Sequence, residues 1–99
     1  MERGGYVYIM TNFSNTVLYI GVTSQLYFRV REHKEKLYPD SFTSKYNCSK
    51  LVYFLFLPSI EEAIQKEKQM KKWKREYKIN LINGFNPSWS DLTERVIDF

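Results

Sequence analysis

The chain holds one cysteine and one histidine in 99 residues, and these two scarcities remove whole classes of function. A lone Cys48 closes no internal disulfide, which excludes a cross-linked extracellular scaffold and fits a reducing compartment. Its ordinary reading is a buried, unreactive thiol. One histidine and one cysteine cannot furnish a four-ligand zinc site, and neither a Cys-x-x-Cys nor a His-x-x-x-His pair occurs. Long apolar runs are also missing. The longest, Leu51 to Leu57, is far too short to span a bilayer, and no basic leader precedes an apolar stretch. A cytoplasmic protein with no membrane partner is expected. Internal repeats and low-complexity linkers are absent too, so residues 1–99 read as one domain.

Aromatic residues are plentiful, at 17% of the chain within an apolar total of 43%. Such a composition builds one modest core from large side chains and argues against disorder. The formal charge is +4, but its distribution is more telling. Between Lys66 and Lys78, seven basic residues stand against Glu67 and Glu76, while the rest of the chain is close to neutral. A basic block on a neutral domain suits the phosphate backbone of a nucleic acid, with Lys71, Lys72 and Lys74 as candidate contacts. A solvated helix face is the plainer explanation of the same block.

Tyr6 to Met10 and Val17 to Val22 are β-branched and aromatic runs joined by a turn-rich Thr11 to Thr16, which predicts an antiparallel hairpin. Alternation places Tyr6, Tyr8 and Met10 on one face of the first strand, and Tyr19 with Gly21 on the corresponding face of the second. Leu18, Ile20 and Val22 then share the aliphatic face with Val7 and Ile9. A helix is expected from about Leu26 to Leu37, capped by Thr23 or Ser24, with His33 inside its apolar stripe and Arg29 one turn earlier. A polar loop follows to about Ser49. The unbroken apolar stretch Leu51 to Leu57 reads as a central strand covered on both faces. Ser59 should cap a long helix from Ile60 to about Tyr77, and Ser90 a short final one.

Glu67 falls on the apolar stripe of that long helix. A carboxylate there is unfavourable unless a cation or hydrogen-bond donors meet it. Three readings stay open, an internal salt bridge to Arg29, a carboxylate that snorkels to solvent, or a ligand to a metal. If a metal, the inventory favours a hard cation such as Mg2+ or Mn2+, which takes one or two carboxylates and completes its shell with water and substrate phosphate. Phosphodiester cleavage further needs positive charge on the phosphate and a base for the attacking water. The fork of Arg29 suits the first task. Tyr8 or Tyr19 suits the second only if its pKa is lowered from about 10; otherwise each is a strand aromatic.

Tyr6-Val7-Tyr8, Tyr19-Ile20-Gly21, Arg29-x-x-x-His33 and Ala63-x-x-x-Glu67 together resemble the ordered signature of the GIY-YIG nuclease superfamily, most closely its small free-standing bacterial members. The resemblance spans about residues 6–89 and includes Lys45-Tyr46-Asn47 and Asn86-Pro87-x-Trp89. The first triplet departs from Gly-Ile-Tyr but keeps its tyrosine. The resemblance implies an α+β fold, a three-stranded antiparallel sheet flanked by helices, with the signature residues meeting at one surface. It also implies Tyr8 as general base, Arg29 and metal-binding Glu67 as catalytic groups, and Tyr19 and His33 in support. Gly21 and Asn86 match structural positions, and Lys45 joins the candidate nucleic-acid contacts. The expected activity is metal-dependent cleavage of DNA, structure-selective in repair or recombination, with RNA as another candidate polymer and a protein partner as a means of targeting. A non-catalytic nucleic-acid-binding module of the same fold and a protein-interaction domain are the competing readings.

Overall fold

Alternating side chains generate β1 (Gly5–Thr11) and β2 (Leu18–Thr23). The turn between them is organised by Asn12, whose Oδ1 accepts from the amides of Thr16 at 2.8 Å and Val17 at 3.0 Å, a local mimic of a backbone turn that asparagine readily forms. The computed structural model, which describes residues 4–99, completes the sheet with β3 (Lys50–Leu57) in the order β2-β1-β3, antiparallel throughout. Pairing of Tyr8 with Gly21, Ile9 with Ile20 and Met10 with Tyr19 separates the two faces as the alternation predicts.

The helices are α1 (Leu26–Lys34), α2 (Phe42–Lys45), α3 (Ile60–Lys71) and α4 (Arg75–Phe85), followed by a 3-10 turn at Thr93–Val96. Val7, Ile9 and Ile20 bury against Ala63 and Met70 of α3 and Ile82 of α4. On the other face Tyr8 and Met10 bury against Leu26 and Val30 of α1, with Leu92 and Val96. Cys48 is fully buried in this second layer. No helix of the described residues is long and apolar enough to cross a membrane.

Several elements depart from the sequence expectation. The apolar β3 is an edge strand, because β1 occupies the centre. Its apolar character comes instead from helices and the C-terminal segment covering its first half, while Phe56 stays exposed. A bulge interrupts its pairing, since Ile9 faces Tyr53 and Met10 faces Leu51, leaving Val52 unpaired. Helix α1 stops at Lys34, short of Leu37: Lys36 adopts φ 53°, and the amides of Lys36 and Leu37 bond back to the carbonyls of His33 and Glu32. This Schellman-type closure ends the helix before the proline can. Neither Thr23 nor Ser24 is its cap; Gln25 holds that position without a side-chain bond.

Ser59 does cap α3, accepting from the Glu62 amide at 3.2 Å. The long helix nevertheless breaks after Lys71, and α4 turns back so that Ile82 joins the core and Phe85 packs on Tyr53 and Phe54. Burial of α4's apolar side outweighs the modest gain of continuing one helix. The expected loop contains α2, capped by Ser41. The final helical turn begins at Thr93, not near Ser90, because Asn86 and Asp91 recruit the intervening backbone.

Candidate active site

Tyr8 is 1% exposed, and its ring and hydroxyl lie close against Gly21, its partner across the β1–β2 ladder. A Cβ at residue 21 would collide with the Tyr8 ring and hydroxyl, so glycine here is a requirement of close approach. The Tyr8 hydroxyl is 2.8 Å from His33 Nε2, and His33 Nδ1 is 2.8 Å from Thr43 Oγ1. Helix α1 supplies His33, and its imidazole is held at Nε2 by Tyr8 of strand β1 and at Nδ1 by Thr43 of α2. Tyr19, half-buried, closes the cluster with ring centroids 6.3 Å from Tyr8 and 5.5 Å from His33.

Burial pushes the Tyr8 phenol well above its ordinary value near 10; Tyr19 adds to this, while the Arg29 charge opposes it. Burial, reinforced by Arg29, lowers His33 to about 4. The imidazole is therefore neutral at pH 7, with one nitrogen free to accept a proton. Arg29 is itself held above its ordinary range: burial works against its charge, but the bond to Glu32 and the two phenols outweigh burial. Its Nη1 lies 3.0 Å from Glu32 Oε1, and its guanidinium sits over the Tyr38 ring at 5.7 Å. Arg29 thus pairs with its own helix and not with Glu67, which removes the Arg29 salt bridge from the readings of Glu67.

Glu67 faces the sheet between Ala63 and Met70 on α3, with its side chain 14% exposed and its carboxylate 3.2 Å from Lys71 Nζ. Helix α3 covers the aliphatic face of the sheet, whereas Tyr8, Arg29 and His33 belong to the α1 face. At the edge strand β2, Lys71, one turn beyond Glu67, shares an open groove of about 270 Å³ with Tyr19, Phe42 and Lys78; Glu67 does not line it. The expectation that all the signature residues meet at one surface is met for the tyrosines, Arg29 and His33 and not for Glu67, which α3 carries on the other face of the sheet. Tyr8, Tyr19, Arg29 and His33 are therefore brought together directly. Among the described residues no hydrogen bond or ion pair links Glu67 to them.

The donor set fits a hard divalent cation of low protein coordination. Glu67 presents a sheltered carboxylate whose cationic partner is the exposed Lys71, and among the described residues no three His, Cys, Asp or Glu side chains cluster. A single carboxylate with water and a substrate phosphate is a common shell for magnesium.

Of the candidate polymer contacts, Lys45, Lys71, Lys72 and Lys74 are all exposed. Asn86 is buried and donates to the carbonyl of the bulged Val52 at 3.2 Å and to that of Ser90 at 2.8 Å. It thereby satisfies a carbonyl that the bulge removes from the ladder. Thr43 and Phe42 escape sequence reasoning, while Lys78 ends the basic block without being singled out as a contact. Glu32 is foreshadowed by its i,i+3 spacing from Arg29; Thr43 lies in a stretch with no periodicity, and nothing in its sequence context points to His33.

Residues 4–83 match the GIY-YIG catalytic domain. The chain is 34% identical over 77 residues to a UPF0213 protein of Syntrophus aciditrophicus (strain SB), covering 78% of this chain and 87% of that one. It is also similar to the solution NMR structure of the UPF0213 protein BH0048 from Bacillus halodurans, with TM-score 0.56, 25% identity, and coverage of 92% of this chain and 95% of that one.

Proposed function

This chain belongs to the GIY-YIG family, and on that premise we propose that it is a divalent-metal-dependent endonuclease hydrolysing DNA phosphodiester bonds. The observation that carries the reading is the Tyr8–His33 hydrogen bond beside Arg29 and Tyr19. A core tyrosine needs no such company. Neutral His33 accepts the Tyr8 proton at Nε2 while Tyr8 takes a proton from the attacking water; the terminal base of this relay is His33, its pKa held at about 4 mainly by burial, so the relay depends on substrate raising its basicity. Thr43 holds the tautomer by accepting from Nδ1–H.

Arg29, oriented by Glu32, binds the scissile phosphate through its planar fork. The phosphate charge offsets the part of the His33 lowering that comes from the guanidinium, burial being the larger part, so the relay gains some basicity when substrate is bound. Glu67 would hold Mg2+ or Mn2+, which when bound supplies charge to the developing transition state and the leaving oxygen.

The test is cleavage of nicked, branched and blunt duplex DNA by the purified protein with magnesium or manganese. Glu67→Gln and Tyr8→Phe should each lower cleavage by at least about 100-fold, since several kcal/mol of stabilisation are removed and 1.36 kcal/mol is about tenfold. Glu67→Gln should melt like wild type, because it keeps the side chain's shape and gives up only an i,i+4 pair with an exposed lysine, worth about 0.3–0.5 kcal/mol. Near-wild-type cleavage by either variant ends this assignment, and salt-sensitive binding without any cleavage favours a non-catalytic binding module.

A further inference from the structure

Three aromatic rings run in series from the site to solvent. Tyr19, against His33, is followed by Phe42 at 6.0 Å with 28° between ring planes, and Phe42 by Tyr46 at 4.6 Å. Phe42 and Tyr46 are 45% and 52% exposed, while α2 buries the small Thr43 and Ser44 instead. Holding Thr43 against His33 does not require two large rings turned outward. Exposed, adjacent aromatics of this kind mark a binding surface.

Their surroundings indicate the partner. Lys45 lies on the same short helix, and Lys71 and Lys78 stand across the groove at the β2 edge. An apolar protein surface would leave those cations unanswered. A polymer with flat bases on an anionic backbone complements both features, as in single-strand binding proteins that combine stacking rings with a basic track. The groove, at about 270 Å³, is smaller than the roughly 300–1,000 Å³ of enclosed small-molecule sites and is open, which suits one base sliding onto a ring. Bases inside a duplex are covered on both faces, so a free face belongs to an unpaired nucleotide.

The geometry points to Phe42 and Tyr46 as a stacking platform for an unpaired base next to the phosphate to be cut. Resting on the nuclease reading above, this makes the preferred substrate a DNA duplex with a single-stranded extension, such as a flap or splayed arm. Tyr46 is the residue to vary, since its ring meets Phe42 and not Tyr19 or His33.

Binding of a labelled duplex with a thymidine overhang, the same duplex blunt, and the duplex with an abasic overhang is measured in EDTA, where no metal-dependent cleavage intervenes. Tyr46→Ala should weaken the overhang duplex about tenfold and the blunt and abasic forms by less than about twofold, and Tyr46→Trp should restore the difference. Equal losses on all three DNAs, or wild-type binding by Tyr46→Leu, overturn the platform. Cleavage of the same DNAs by wild type with magnesium is scored separately. Its absence, beside Tyr46-dependent overhang binding, overturns the nuclease reading and leaves the platform standing.

Discussion

His33 concentrates the residue-scale physics of this protein, because one neutral imidazole is satisfied at both nitrogens and kept uncharged by burial and Arg29. Its folded pKa, about 4, lies below the value of 6.5 expected of the unfolded chain. The unfolded state therefore binds a proton that the folded state refuses, so stability is full above pH 6.5 and declines as pH falls from 6.5 to about 4. The loss is on the order of 2–3 kcal/mol at most. Thermal melts between pH 7 and 4 should show this decline, and His33→Gln should flatten it. An unchanged slope in the variant would assign the acid sensitivity to other groups.

At the scale of elements, the β1–β2 hairpin matters through one close approach. The Tyr8 ring can reach His33 only because Gly21 leaves its space empty. Gly21→Ala should cost about 1–3 kcal/mol, as overpacked sites do, lowering the melting temperature by roughly 4–8 °C per kcal/mol. It should also displace the Tyr8 hydroxyl from His33 and depress cleavage more than stability loss explains. Retained activity at a temperature where the variant is folded would show that the Tyr8 position tolerates movement. Helix α2 has a comparable role, since a single turn capped by Ser41 delivers Thr43 inward and Phe42 outward.

For the molecule as a whole, the basic block lies beside the site, while Arg29 stands within it. Lys71, Lys72 and Lys74 occupy the end of α3 and the bend before α4, beside the groove that Tyr19 shares. If all three meet phosphates, replacing them by alanine should reduce the log–log salt slope of DNA binding by about 2.7, at about 0.9 per contact. A slope equal to that of wild type would move the polymer path elsewhere. Glu67 beside Lys71 adds a second expectation at this scale, since Glu67→Gln removes a negative charge from that surface and should tighten metal-free DNA binding slightly.

The local pattern alone determined the hairpin, its two faces, the cap at Ser59 and the placement of Glu67 on the sheet-facing side of α3, because these follow from side-chain period and capping chemistry within a few residues. Lone oddities such as His33 and Glu67 on apolar stripes were legible for the same reason. Strand order was not: the apolar run of β3 reads as central, and only its pairing with β1 alone makes it an edge. The break after Lys71 and the early end of α1 were likewise decided by tertiary burial and by a positive φ at Lys36 that no sequence signal announces. Partner choice in the site belongs wholly to the fold. Arg29 meets Glu32, His33 meets Thr43, and Glu67 meets Lys71, because a side chain's partner depends on which elements pack together and at what register, information that residues distant in the chain carry only jointly.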